Sequence, residues 1–218
     1  MYKLYWHVQT SSAAIVTVLE EIGVPYDLQE IHYETGYTKS EDYLKNSPLG
    51  LFPALEIEGQ DPIFESAAII LYLCDRHQNR TLTPGPDEPE RARFLRWLFY
   101  LSNTVYTTYT RYNHLERYTT TPECEADAKQ QMLNSIMSLW AGIEKILDRE
   151  GPWLLGERFS ACDIYLQMIT TWHDDPAELL DTYPNIKELV RGVVTRSTSK
   201  RAVELHDFKI GLEDEIEF

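Results

Sequence analysis

Positive charge and cysteine are both scarce in this sequence. Its 218 residues include 20 lysines and arginines against 35 aspartates and glutamates, which gives a formal net charge of -15 at pH 7. Because nucleic acids are bound by basic surfaces, a nucleic-acid partner is not expected. The three cysteines, Cys74, Cys124 and Cys162, lie far apart with no CxxC motif. No two of the six histidines are paired at helical spacing, so the sequence predicts no metal site.

Long apolar stretches are lacking as well. No run approaches the length of a membrane-spanning helix, and the first residues have neither the charged nor the apolar region of a secretory signal. We therefore expect a cytoplasmic protein with reduced thiols and no membrane partner. The hydrophobic content of 43% still provides for a core, and the length suits one large domain or two small ones.

The first part of the chain alternates short strands with helices. Between residues 12 and 22 apolar side chains recur at helical spacing, and Gly23 stands where a helix commonly ends. The resulting strand–helix–strand unit should have parallel strands and a right-handed crossover. Strands are predicted at residues 2–6, 24–28, 54–57 and 63–64, and helices at 12–22, 40–46 and 66–77.

Beyond residue 78 the composition changes. The segment that follows contains Pro84, Gly85 and Pro86, as a linker would. After it, apolar residues recur at helical spacing and no further strand pattern is found. The sequence therefore predicts an α/β domain at residues 1–78, a linker at 79–88 and an all-α domain at 89–218.

Two features of the stretch 49–73 go beyond a generic α/β pattern. Pro53 immediately precedes a buried-looking strand, where proline fits poorly. A cis Phe52–Pro53 bond would turn the chain before strand pairing begins and leave the Phe52 backbone available to a peptide-like ligand. Glu65 and Ser66 open the next helix, where backbone N–H groups favour anions. They suit either a plain helix cap or a pair of groups that holds a ligand's ammonium and carboxylate.

This stretch resembles the glutathione-binding half of the cytosolic glutathione transferases. The similar motifs are NSPLG at residues 46–50, FPAL at 52–55 and ESAAIILYL at 65–73, and the likeness extends to about residue 206. The resemblance implies a thioredoxin-like first domain, made of a βαβ and a ββα unit with a mixed four-stranded sheet. It also implies an all-helical second domain.

The same resemblance implies how glutathione would bind. Pro53 should be cis, Phe52 should pair with the cysteinyl backbone, and Glu65 with Ser66 should hold the γ-glutamyl end.

The glycyl carboxylate of glutathione is harder to place. The resemblance directs it toward the region after the second strand, where Lys39 and Lys45 are the available cations. Either lysine also suits a solvated surface position. Members of the resembling family often carry lysine or glutamine just before the residue that precedes the cis proline, and this sequence has Leu51 there.

The resemblance further implies a hydroxyl at the start of the first helix that donates a hydrogen bond to the glutathione sulfur. Such a donor would lower the thiol pKa, which is about 8.5 for a free thiol. Counting back from Gly23 selects Ser11 against bacterial classes with a cysteine there, and Ser12 against theta-like serine members. The absence of cysteine disfavours mixed-disulfide chemistry. Both serines also suit plain helix capping. Tyr5 is the reserve candidate, although it should lie within the first strand.

A polar aromatic row marks the second domain. Tyr106, Tyr109 and Tyr112 recur at intervals of three residues, with Arg111 beside them. In the resembling family this helix lines the pocket for the electrophile, and a phenol-rich wall would suit aromatic substrates. The alternative is a half-buried tyrosine face that packs on the next helix.

The rest of the helical domain carries structural signals. Ser160 and Asp163 have the spacing of a capping box, so we interpret the Asp163 carboxylate as structural. The acidic tail at residues 207–218 suits either a packed lid or a frayed end.

Three functions are compatible with these observations. The first is a glutathione transferase that acts on small, aromatic or apolar electrophiles. The second is a glutathione-dependent peroxidase or isomerase of the same fold, and the third is a binding protein that has lost turnover. Phe52–Pro53 and Glu65–Ser66 favour the first two, whereas Leu51 and the acidic surface favour the third. Glutathione is the expected cosubstrate, and a symmetric homodimer is the expected assembly.

Overall fold

The computed structural model describes residues 1–216, apart from the side chain of Tyr33. Its sheet consists of β1 (Tyr2–Trp6), β2 (Tyr26–Glu30), β3 (Ala54–Ile57) and β4 (Ile63–Phe64). The strand order is β2-β1-β3-β4. β1 and β2 are parallel, whereas β1 with β3 and β3 with β4 are antiparallel. The predicted mixed four-stranded sheet is confirmed.

Helices occur in both domains. In the first domain they are α1 (Ser12–Ile22), α2 (Glu41–Leu44) and α3 (Ser66–Arg76). A π-helical turn, Leu101–Val105, joins the first two helices of the second domain. The helices of that domain are α4 (Arg91–Tyr100), α5 (Tyr106–Asn113), α6 (Pro122–Glu150), α7 (Ala161–Thr170), α8 (Pro176–Thr182), α9 (Pro184–Val194) and α10 (Lys200–His206).

Two elements differ from the sequence-based prediction. β2 begins two residues later than expected, because its first residue, Tyr26, pairs with Tyr2 at the beginning of β1. The short helix α8 was not predicted. It starts at Pro176 after Asp175, whose side chain accepts a hydrogen bond from the Glu178 N–H at 3.1 Å. Proline in the first turn and an aspartate cap are ordinary helix-start signals, but seven residues are too few to show a period.

The two domains share a continuous apolar core. α1 packs against α3 on one side and against α7 and α10 on the other. Ile15 and Leu19 of α1 are fully buried in the same cluster as Phe94 of α4 and Ile164 of α7. Because α1 lies between the sheet and the second domain, its first turn is held at the junction of the two domains.

Asp163 has the structural role predicted for it. One carboxylate oxygen accepts the Ser160 N–H at 2.7 Å and the other accepts the Leu154 N–H at 2.9 Å. The capping box with Ser160 is complete at the start of α7, whose residues are all buried. Burial raises the pKa of Asp163 to about 7, and the hydrogen bonds from Leu154 and Ser160 oppose this shift.

The described part of the C-terminal tail is packed. Ile210 and Leu212 are buried, and Glu215 forms ion pairs with Lys187 at 2.6 Å and Arg191 at 2.5 Å. Gly211 has a φ of +84°, and a Cβ there would lie 2.6 Å from the backbone nitrogen of Ala177. The last two residues of the predicted second domain lie outside the described range.

Across residues 1–216, no helix combines the length and apolar character needed to cross a membrane.

Candidate functional site

A cavity of about 680 Å³ lies between the two domains. Its first-domain wall comes from the loop before α1, the segment before β3 and the start of α3. Its second-domain wall comes from α4, the π-helical turn, α5 with the residues just after it, and α7 with the turn after it. The lining residues that bear on function are Thr10, Ser11, Phe52, Pro53, Glu65, Ser66, Tyr106, Tyr165 and Trp172.

The Phe52–Pro53 bond is cis, as predicted. Pro53 is buried and Phe52 is half-buried at the cavity wall. The chain just before them is held by two hydrogen bonds: the Tyr43 hydroxyl donates to the Leu51 carbonyl at 2.8 Å, and the Leu51 N–H donates to Ser47 Oγ at 3.2 Å. The Leu51 side chain is exposed. This segment therefore has a defined backbone position at the cavity without a side-chain cation.

Glu65 lies at the cavity in an unusual backbone conformation. Its φ of 71° and ψ of 110° fall in a region that residues other than glycine rarely occupy. The Glu65 side chain forms no capping hydrogen bond to α3, so the plain-cap alternative lacks its defining contact. The neighbouring Ser66 is buried, with Oγ 2.8 Å from the Tyr165 hydroxyl. A carboxylate and a helix N-terminus thus stand side by side, which suits the amino-acid end of a peptide.

Ser11 and Ser12 have different surroundings. Ser11 is only 1% exposed, but it lines the cavity and makes no side-chain capping hydrogen bond to α1. Its Oγ lies 3.5 Å from the Tyr106 hydroxyl. Ser12 is fully buried, with Oγ 2.7 Å from Thr10 Oγ1 and 3.4 Å from His206 Nε2. The geometry therefore brings Ser11 to the cavity and places Ser12 in a hydrogen-bonded cluster behind it.

Tyr5, the reserve candidate, does not line the cavity. Its hydroxyl donates to the Glu56 carboxylate at 2.6 Å and accepts from the Asn46 amide at 3.3 Å. Burial and the bond to Glu56 raise the Tyr5 pKa, while Lys3 acts against them. The Tyr5 hydroxyl therefore bonds to Glu56 of the neighbouring strand β3 and does not face the cavity.

The two lysines considered for the glycyl carboxylate also stand outside the cavity lining. Lys45 is paired with Asp42 at 2.8 Å on the surface, and Lys39 is exposed at the end of a short 3₁₀ turn, Tyr37–Lys39. The structure does not bring either of them together with the Phe52 and Glu65 groups.

The tyrosine row of α5 is divided between the cavity and the core. Tyr106 lines the cavity, whereas Tyr109 and Tyr112 are buried away from it and Arg111 is exposed elsewhere. The reason is helical phase: a step of three residues turns each side chain back by roughly 60°. The row therefore rotates from the cavity into the core, and the prediction that all four residues line the pocket is corrected for Tyr109, Tyr112 and Arg111.

The buried tyrosines have protein partners. Trp140 Nε1 donates to the Tyr109 hydroxyl at 2.8 Å, and His173 Nδ1 lies 2.9 Å from the same oxygen. The Tyr112 hydroxyl donates to Asp174 at 2.5 Å. Burial, aided by Asp174, raises the pKa of Tyr112 to about 12. These hydroxyls serve the packing of the helical domain.

Sequence reasoning missed several lining residues. Thr10 Oγ1 donates to the His7 carbonyl at 2.7 Å, which shapes the loop in front of α1. Trp172 packs edge-on against Tyr106 with the ring centroids 4.8 Å apart. Tyr165 reaches the cavity from α7. Tyr165 lies in α7, two residues after Asp163 of the capping box, and Trp172 lies in the turn that follows this helix. The capping box marks the start of a helix but does not show which of its later residues reach a cavity.

The comparisons with known families identify the chain. The model of the glutathione S-transferase N-terminal domain matches residues 12–76, and that of the glutathione S-transferase C-terminal domain matches residues 109–198. Together the two matches cover more than half of the 218 residues. The chain belongs to the glutathione S-transferase family. The predicted thioredoxin-like and helical two-domain fold is thereby confirmed.

Individual relatives cover most of this family member. It is 28% identical over 194 residues to the uncharacterized GST-like protein YncG of Escherichia coli K12, which covers 88% of this chain and 92% of that protein. It is 26% identical over 178 residues to glutathione S-transferase GstA of Escherichia coli O157:H7, covering 78% and 81%. A solved glutathione transferase homologue from Sulfitobacter, with bound glutathione, has a TM-score of 0.82 and 25% identity, covering 94% and 97%.

Proposed function

We propose that the protein binds glutathione in the cavity and transfers its thiolate to a small electrophile. The observation that carries this proposal is the convergence of Ser11, cis Phe52–Pro53 and Glu65–Ser66 on one cavity. Phe52 would pair with the cysteinyl backbone, and Glu65 with Ser66 would hold the γ-glutamyl end. The bound glutathione of the Sulfitobacter homologue supports this ligand.

The Ser11 hydroxyl is the proposed donor to the glutathione sulfur. A thiolate is the reactive form of the thiol, and a hydrogen-bond donor together with the positive end of α1 favours it over the thiol. Tyr106, 3.5 Å from Ser11, is a second hydroxyl beside the same point. Burial raises the pKa of Tyr106, so its hydroxyl stays protonated at neutral pH. The protein itself then supplies donors, and glutathione supplies the nucleophile.

The second-domain wall supports apolar or aromatic electrophiles. The rings of Tyr106 and Trp172 form one side of the cavity, and the exposed Phe99 and Leu51 side chains border it. Aromatic rings pack well against aromatic substrates in edge-on and offset arrangements. We therefore propose that such electrophiles bind against this wall when they are conjugated.

A symmetric homodimer is part of the proposal. Phe64 and Phe99 are 41% and 51% exposed, and both border the cavity. A second copy that packed there would cover them, and two-fold contacts are the commonest arrangement. Light scattering should then give about twice the 25.4 kDa chain mass; a monomer mass at micromolar concentration contradicts it.

Calorimetry with glutathione, followed by turnover assays, tests the function. Binding that is weakened in Glu65→Ala, together with conjugation of a chlorinated nitrobenzene, supports the transferase. Binding with hydroperoxide reduction in place of conjugation supports the peroxidase alternative, and binding with no turnover supports a binding protein. If the parent protein does not bind glutathione, the proposal is wrong.

A further inference from the structure

Three potential metal ligands meet at the ends of β1 and β2. His7 follows the last residue of β1, Glu30 is the last residue of β2, and His32 lies two positions further on. The parallel register pairs Trp6 with Glu30, so both strands end at the same edge of the sheet. No metal site was expected from the sequence, because ligands were sought at helical spacing. Strand pairing brings these three residues together instead.

The spacing of the donor atoms fits an ion between them. His7 Nδ1 lies 4.0 Å from one Glu30 carboxylate oxygen, and His32 Nε2 lies 3.7 Å from the other. All three donor atoms are within 4.8 Å of one another. These separations exceed the 2.7–3.2 Å of a hydrogen bond. Ligands about 2.1 Å from a tetrahedral zinc are roughly 3.4 Å apart, so small side-chain rotations would close the set around an ion.

The His7 backbone is held by a hydrogen bond, whereas the side chains of Glu30 and His32 are partly open to solvent. The His7 carbonyl accepts the Thr10 hydroxyl at 2.7 Å, and the His7 ring packs edge-on against that of His32 with centroids 5.6 Å apart. The side chains of Glu30 and His32 are 38% and 50% exposed, and both border a surface cavity of about 510 Å³. An ion and its water ligands therefore have a path to the site, and the net charge of -15 favours cations near the surface.

We propose that His7, Glu30 and His32 bind one divalent transition-metal ion of the zinc, cobalt or nickel type. Two imidazoles and one carboxylate are a common zinc set, with water in the remaining position. Magnesium and calcium prefer all-oxygen ligands, so they fit this set poorly. The His7 ring packs edge-on against that of Phe52, one of the proposed glutathione groups, with the centroids 5.5 Å apart. None of the three metal ligands lines the glutathione cavity, and the existence of the metal site does not depend on the proposed function.

Titration of the full chain, freed of any affinity tag and of chelator, tests the site. Zinc binding is followed by calorimetry, and cobalt binding by its visible absorption. We expect one ion per chain in the parent protein, and an affinity lower by about tenfold or more in both Glu30→Gln and His32→Ala, since even loss of a supporting contact commonly costs that much. Zinc should also raise the melting temperature of the parent but not that of the variants.

His114 provides a matched control. Its imidazole lies 3.4 Å from the Glu116 carboxylate, so His114→Ala removes a histidine–glutamate pair that lacks the second imidazole. That variant should bind zinc like the parent. Both test positions are partly exposed, and their unliganded melting curves report whether the variants fold. Equal zinc affinity in the parent, Glu30→Gln and His32→Ala, or no saturable binding in the parent, overturns the proposal.

Discussion

Two neighbouring serines at the start of α1 have different surroundings: Ser11 faces the cavity and Ser12 faces the protein core. Both serines are buried, but Ser11 lines the cavity, 3.5 Å from Tyr106, whereas Ser12 lies beside Thr10 and His206. Freeing a buried hydroxyl from its protein partners costs about 1–3 kcal/mol. A hydroxyl on the cavity side can therefore serve a ligand, and one on the core side serves the fold. The same division separates Tyr106 from Tyr109.

The largest effect is expected from removing the Ser11 hydroxyl. Ser11→Ala should lower turnover by about 10²-fold at pH 7, the loss typical of one preorganised donor to a developing or bound anion. The bound thiol's pKa should rise, so the loss should shrink at high pH, where the thiolate forms unaided. A pH–rate profile measures both quantities.

Ser12→Ala is the matched control for that experiment. It should leave the thiol pKa unchanged and act on the free energy of unfolding instead, because its partners lie in the protein. If Ser12→Ala shifts the thiol pKa and Ser11→Ala does not, the assignment of the two sides is reversed.

The core side should also show a pH dependence of stability. His206 is fully buried between Trp6 and Phe208, and burial, aided by His7, lowers its pKa to about 4. An unfolded histidine has a pKa near 6.5. Between these values the unfolded state binds more protons, so the stability held above pH 6.5 is lost as the pH falls toward 4. The full shift corresponds to about 3 kcal/mol.

Chemical denaturation between pH 4 and 7 measures this contribution. In His206→Gln the side chain cannot titrate, so the stability of the parent relative to the variant should fall as the pH drops from 7 to 4. Contributions that both proteins share, such as the opposite one from Asp163, cancel in that difference. Parallel curves for the two proteins would show that His206 titrates alike in the folded and unfolded states.

A smaller effect is expected on the affinity for glutathione. Glu65→Ala should weaken binding by roughly 1.5–3 kcal/mol, the range for a hydrogen bond to a charged group. Lys45→Ala is a matched surface control, because Lys45 is exposed and paired with Asp42; its effect should stay within about 0.5 kcal/mol. Isothermal titration gives both values. Equal affinities in the parent and in Glu65→Ala would mean that Glu65 does not bind glutathione and acts only at the start of α3.

The first domain could be predicted almost completely from the sequence. Three of its four strands begin directly after a proline, and the cis Phe52–Pro53 bond and the start of α3 follow from short local motifs. Local chemistry determines such features, so they are visible in one segment. The His7, Glu30 and His32 cluster was not visible, because strand pairing between distant segments creates it.

The second-domain wall could be predicted less well. Helical periodicity found the helices except α8, but it did not determine which tyrosines face the cavity. The π-helical turn Leu101–Val105 lies immediately before α5. It changes the direction in which the α5 side chains point, and residue types alone do not predict such a turn. Trp172, which contacts Tyr106, comes from a segment with no motif of its own.

The tyrosine row offers the last test of the comparison between cavity and core. Tyr109→Phe removes an oxygen that accepts from Trp140 Nε1 in the interior. Leaving that donor unpaired should lower the free energy of unfolding by about 1–3 kcal/mol with little change in the KM for the electrophile. Tyr106→Phe loses a long 3.5 Å contact to Ser11, so its stability should stay near that of the parent while turnover or electrophile KM changes. Urea denaturation and steady-state kinetics on both variants separate the two outcomes. A Tyr109→Phe protein with parental stability and altered kinetics would mean that the buried tyrosine reaches the substrate after all.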